Sequence, residues 1–164
     1  MRRVLFAVLF CTVLVACGFH PRQQMVVPDS LGPVQVVASD PYSPLADDLA
    51  RGFERAGARP AVAGQPAASL KILSEAFSTN PLSVDQFAQV REYVIRYRVE
   101  FTLTDMSGAL VLDKQSIELS REYSYDANAS AGSPAENELL KLELRRDMQA
   151  AILRRLDLAL RPKL

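Results

Sequence analysis

Tyr93-Val94-Ile95-Arg96-Tyr97-Arg98-Val99-Glu100-Phe101-Thr102-Leu103 sets Tyr93, Ile95, Tyr97, Val99, Phe101 and Leu103 on one parity and Arg96, Arg98, Glu100 and Thr102 on the other. Successive side chains of an extended chain point to opposite sides, so this alternation reads as a strand with one dry and one wet face. Asp105-Met106-Ser107-Gly108 follows as a hairpin connection, with a glycine available for positive φ, and Leu110 to Tyr125 returns as the antiparallel partner. Within that partner the apolar parity changes, from Leu110 and Leu112 on even positions to Ile117, Leu119, Tyr123 and Tyr125 on odd ones. A bulge or bend between Leu112 and Ile117 is the economical cause.

Working toward the N-terminus, Leu70 to Phe77 alternates and stops at the turn signal Ser78-Thr79-Asn80-Pro81, which predicts a shorter strand. A small-residue linker, Ala61 to Ala68, precedes it, and Val34-Gln35-Val36-Val37 supplies one more strand. Between them lies Ser43-Pro44-Leu45-Ala46-Asp47-Asp48, with an N-cap serine, a proline at the first helical position and carboxylates where the helix dipole favours them. Leu45, Leu49, Phe53 and Ala56 form one apolar stripe, and Gly57 and Pro60 end the helix. Gly52 costs about 1 kcal/mol relative to alanine in a helix interior, and is read as marking a close approach to a strand. Toward the C-terminus, Ser133-Pro134-Ala135-Glu136 reads as a capping box opening a long helix, with Leu140, Leu144, Met148, Ile152 and Leu156 on one stripe. Its charged remainder, Lys141, Glu143, Arg145, Arg146, Asp147, Arg154, Arg155 and Asp157, reads as a solvated face. The order β-α-β-β-β-α, with one apolar stripe per helix, predicts an α+β two-layer sandwich: a four-stranded mixed or antiparallel sheet with two helices on one face.

The chain opens with Met1-Arg2-Arg3, an apolar run from Val4 to Val15, and Leu14-Val15-Ala16-Cys17 at its close. The run is too short for a transmembrane helix of about 20 residues and fits a secretory signal. The cysteine after Leu-Val-Ala resembles a bacterial lipobox, in which Cys17 is acylated and becomes the first mature residue; a plain secreted protein or an uncleaved anchor are the alternatives. Residues 1–16 are then a cleaved signal, 17–32 a lipidated tether rich in Pro and Gln, and 33–164 a single domain. Several acyl chains give stable anchoring where one does not. Gly18 occupies the place where an aspartate, in the sorting rule of enteric bacteria, retains a lipoprotein in the inner membrane, so the outer membrane is expected.

The residue inventory argues against catalysis. The lone histidine, His20, lies in the tether, and with Cys11 in the signal and Cys17 acylated there is no thiol chemistry, disulfide or ordinary zinc set. No phosphate loop appears, and the carboxylate pairs Asp47 with Asp48 and Glu136 with Glu138 are explained by helix-start electrostatics. Neither an enzyme nor a cofactor is expected. The whole chain has 19 basic and 19 acidic side chains, and loss of Arg2 and Arg3 leaves a slight acidic excess, so no basic field invites nucleic acid. Binding is the better class. Arg91, Arg96 and Arg98 lie on or beside the long strand, and arginine suits two-pronged contacts to phosphate or carboxylate. Cross-strand pairing with Glu118, Glu122 or Glu75 is the structural alternative.

Taken together, Cys17-Gly18-Phe19-His20-Pro21-Arg22, Glu92-Tyr93, Arg121-Glu122-Tyr123-Ser124-Tyr125, and Ala135-Glu136-Asn137-Glu138 leading to Arg145-Arg146-Asp147-Met148 resemble the LptE family of LPS-assembly lipoproteins over nearly the whole chain. The resemblance implies a non-enzymatic outer-membrane protein whose α+β domain plugs the LptD β-barrel, supports its folding and binds lipopolysaccharide in transit. The family's lipopolysaccharide contacts are basic residues at the opening of the long strand and near the start of the last helix. Arg91 matches the first region, with Arg96 as a further candidate. At the second, Ser133-Pro134-Ala135 departs from the family by having no base, and Lys141 lies about two turns further on. The alternatives are an auxiliary lipoprotein of an ABC-type lipid-transport system, and an activator or pilot lipoprotein of another envelope complex.

Overall fold

The computed structural model describes residues 27–84, 86–87, 89–124 and 133–161, with the side chains of residues 133 and 134 outside the description. A 3-10 turn, Asp29–Leu31, leads into β1 (Val34–Ala38), α1 (Pro44–Arg55), β2 (Ala68–Val84), β3 (Val90–Thr104), β4 (Leu110–Ser124) and α2 (Ser133–Leu160). The sheet order is β1-β2-β3-β4, with β1 parallel to β2 and the other two pairs antiparallel. This is the mixed four-stranded α+β sandwich that the pattern predicts. Both helices cover one face: the core joins Leu45, Leu49 and Phe53 of α1, Leu144, Met148, Ile152 and Leu156 of α2, and Ile95, Tyr97, Val99, Phe101 and Leu103 of β3.

Local chemistry explains most boundaries. Ser43 caps α1 by accepting a hydrogen bond from the Ala46 N–H at 3.2 Å, with Pro44 in the first turn. Gly57, at φ 90°, takes the left-handed turn that ends this helix. Gly108, at φ 85°, sits in the β3–β4 hairpin, whose Asp105 carboxylate accepts from Ser107 N–H, Ser107 Oγ and Ala109 N–H at 2.8, 2.6 and 3.0 Å. Those bonds, led by the Ser107 hydroxyl, hold its pKa below the usual carboxylate value. The parity change in β4 is a bulge: Phe101 faces Gln115, while Leu103 faces Leu112.

Four expectations need correction or narrowing. β2 does not stop at Ser78-Thr79-Asn80-Pro81; it runs to Val84, with these residues paired to Arg96, Ile95, Val94 and Tyr93. β1 pairs β2 only as far as Ile72, so the rest of β2 is a sheet edge, where proline is tolerated. Gly52 approaches a helix, not a strand, because a Cβ there would fall 2.8 Å from Leu153 Cδ1. The end of the expected tether is structured, with Leu31 buried in the core and Val27 packed against it. The start of α2 is where it is expected, but the serine side chain of its capping box lies outside the described residues, as do Tyr125, Cys17 and His20.

Candidate functional site

β3 presents its basic residues to two different surfaces. Arg96 and Arg98 lie on the outer sheet face and converge on Glu118 of β4, Arg96 Nε at 4.0 Å from Oε1 and Arg98 Nε at 3.8 Å from Oε2. Beside them Lys114 holds Glu100 at 2.8 Å, and the lysine bond, opposed by partial burial, draws the Glu100 pKa down. The cross-strand pairing is therefore present with Glu118, through long and exposed contacts. Such pairs hold little energy, on the order of 0.2–1 kcal/mol. Glu75 does not join them, since it faces the helices.

Arg91 is exposed at the start of β3, where the pairing with β2 is irregular: Glu92 pairs with Ser83 but Val90 with Val84, so β3 carries one extra residue at Arg91. There Tyr93 stacks on Tyr123 with ring centroids 5.6 Å apart, and Asn137 Nδ2 of α2 donates to the Tyr123 hydroxyl at 3.1 Å. Lys141, one turn along α2 from Asn137, gives its ammonium to Glu138 at 2.8 Å. The fold thus places Arg91 and Lys141 at the same end of the domain, near a tyrosine pair, while Arg96 is on the outer sheet face. Arginine, lysine and stacked phenols together can take a phosphorylated ligand with an apolar body.

A third cluster is absent from the sequence reading. Glu75, on the helix side of β2, accepts from the Tyr97 hydroxyl at 2.6 Å on Oε1 and from Ser43 Oγ at 2.6 Å on Oε2. Phe77 stacks on Tyr97 at 3.9 Å, with planes 5° apart, and the Arg145 guanidinium lies 5.6 Å from the Phe77 centroid. Burial first, then the Glu75 hydrogen bond and charge, push the Tyr97 phenol well above the usual tyrosine value, against an opposing pull from Arg145. Tyr97 is thus a neutral donor at working pH. Arg145 is not part of a solvated face; its Nε is buried, with no hydrogen-bond partner among the described residues. Its spacing held the signal: it stands three residues before Met148 and seven before Ile152, on the flank of the buried stripe.

Among the described residues, no three His, Cys, Asp or Glu side chains converge as a metal site would require, and no helix is long and apolar enough to cross a membrane. A sheet with one dry face under two helices, and one polar face with loosely held ions, defines a small two-layer α+β domain. Solved structures of bacterial lipoproteins have this fold. Rare lipoprotein B of Shewanella oneidensis superposes with a TM-score of 0.66 at 22% identity, over 76% of this chain and 93% of that one. Lipoprotein B of Nitrosomonas europaea gives 0.68 at 25% identity, over 85% and 90%. A family profile described as LptE, lipopolysaccharide-assembly, matches residues 31–156, and the chain belongs to that family. It is also 26% identical, over 94% of its length and 85% of the relative's, to the LPS-assembly lipoprotein LptE of Photorhabdus laumondii.

Proposed function

We propose that this chain works in lipopolysaccharide assembly as a non-enzymatic outer-membrane lipoprotein, acylated on Cys17, whose domain seats in the lumen of an LptD-type β-barrel and supports that barrel's folding. The observation that carries this reading is the family match across residues 31–156, continuous with a lipobox at Cys17. The outer sheet face supports it physically. A barrel lumen is polar, and Arg96, Arg98 and Glu118, held at 3.8–4.0 Å, can exchange partners with such a wall at little cost. Lipopolysaccharide contact is assigned to the end bearing Arg91 and Lys141, where cations flank the Tyr93–Tyr123 stack.

Purification of the acylated protein from membranes tests the partner. One large β-barrel should come down in roughly equal amount; an inner-membrane permease or a cell-wall synthase in its place would favour the other envelope complexes and sink the barrel reading. For the ligand, Arg91→Glu should weaken lipopolysaccharide retention while leaving barrel association intact. Unchanged retention would remove Arg91 from the site.

A further inference from the structure

Strand register gives the domain two distinct ends. The starts of β1, β2 and β4 and the finish of β3 lie together. The C-terminal turns of both helices join them, with Gly52 against Leu153 and Arg155 Nη1 donating to Gln115 at 3.0 Å. Val27 enters the fold at this end, its N–H donating to the Ala56 carbonyl at 3.2 Å. Arg55 and Arg59 flank that carbonyl, both exposed and without an ion-pair partner among the described residues. Val62, Met106 and Leu158 are exposed at the same end, Leu158 to 67%. The opposite end, with Phe87, lies about 50 Å away along the 15 residues of β3.

We propose that, in the acylated chain on its own, the end at which Val27 enters rests on the membrane leaflet holding the Cys17 lipid. Val62, Met106 and Leu158 then enter the headgroup boundary, and Arg55 and Arg59 take anionic phospholipid phosphates. This rests on the acylation of Cys17 read from the sequence. Residues 17–26 reach at most about 36 Å, so the Val27 end is held near that leaflet at high effective concentration, whereas the Phe87 end can lie well beyond it. Exposed aliphatic side chains beside unpaired arginines suit an interface in which chains enter the acyl boundary and guanidinium groups remain with phosphate. Asp29, Glu54, Asp105 and Asp157 share this end; Asp105 is held by the Ser107 and Ala109 N–H groups and Asp157 by Arg161, and an arginine side chain is longer than a carboxylate one.

The test uses the full acylated protein in phosphatidylethanolamine vesicles containing phosphatidylglycerol, with single cysteines introduced as Val62→Cys, Leu158→Cys, Phe87→Cys or Ser120→Cys and carrying an environment-sensitive dye. Lipids bearing a nitroxide quencher should quench the dye at 62 and 158 by at least about twofold more than at 87 and 120. Paired Arg55→Glu and Arg59→Glu should abolish the difference between these vesicles and vesicles of phosphatidylcholine alone. Equal quenching at all four positions, or stronger quenching at 87, would overturn the docking. Protein that fails to float with vesicles would overturn the acylation and the docking with it; protein that floats with 62 and 158 unquenched overturns the docking alone.

Discussion

On one side of β3, Ile95, Tyr97, Val99, Phe101 and Leu103 expose no area to solvent, while one residue away Arg96, Arg98 and Glu100 stand among ions that water still reaches. The backbone, the register and the neighbouring strands are the same for both sets. The difference is what each face meets: two helices on one side, solvent or a partner on the other. Area removed from water stabilises at about 25 cal/mol per Å², whereas an exposed ion pair adds little beyond its own hydration. The inner face should therefore hold the fold, leaving the outer face free to match another surface without unfolding the domain.

The widest gap between the faces should appear on truncation. Phe101→Ala is expected to cost about 3–5 kcal/mol, from lost transfer energy and the cavity left between β3 and the helices. Chemical denaturation of the soluble domain would show it as a lower midpoint with an unchanged slope. A loss below about 1 kcal/mol would mean that the inner face is not close-packed, and the contrast would fail at its strongest point.

The next effect separates apolar packing from the polar network inside it. Tyr97→Phe keeps the ring on Phe77 but takes the donor from Glu75 Oε1, at a cost of about 1–3 kcal/mol at neutral pH. The pH dependence has a definite sign. Burial, then Glu75, raise the phenol pKa in the folded chain, while in the unfolded chain it stays near 10. Above pH 10 the unfolded state releases this proton and the folded state keeps it, so the wild-type advantage is complete below pH 10 and shrinks as pH rises above it. Stability curves for the two proteins should converge on the alkaline side. Parallel curves would show that Tyr97 titrates normally and that the network is open to water.

The same two faces show what a reader of the sequence can and cannot see. Alternation in β3, the cap at Ser43, the hairpin glycine and the i+4 stripe of α2 are local patterns, each visible because one element's geometry generates it. β2 beyond Phe77 was hidden because Ser-Thr-Asn-Pro is good turn chemistry, and only pairing with Tyr93 to Arg96 outweighs it. Gly52 was visible as an anomaly, but its neighbour, Leu153, lies about a hundred residues away. Glu75 and Arg145 were hidden for the reason that charged residues on amphipathic elements are usually solvated. Arg96 and Lys141 were comparable candidates in sequence, yet the sheet separates them, because strand parity sends Arg96 outward while Lys141 follows Asn137 on the helix side.

The smallest effect is the most discriminating. Arg98 and Glu118 approach at 3.8 Å with side chains 60% and 46% exposed, so a double-mutant cycle of Arg98→Ala and Glu118→Ala should return a coupling of about 0.5 kcal/mol or less. That coupling should fade further as salt is raised, because the Debye length falls from about 8 Å at physiological ionic strength to about 3 Å at 1 M, shorter than the 3.8 Å separation. Arg96 shares the same carboxylate, so removing Arg98 leaves Glu118 a second cation and lowers the coupling again. A coupling above about 1.5 kcal/mol that survives high salt would make the outer face a structural network rather than an adaptable surface. The proposed seating in a barrel lumen requires residues that cost almost nothing to the isolated domain yet release the partner when altered, so Glu118→Ala should leave the denaturation midpoint nearly unchanged and still reduce copurification of the proposed barrel.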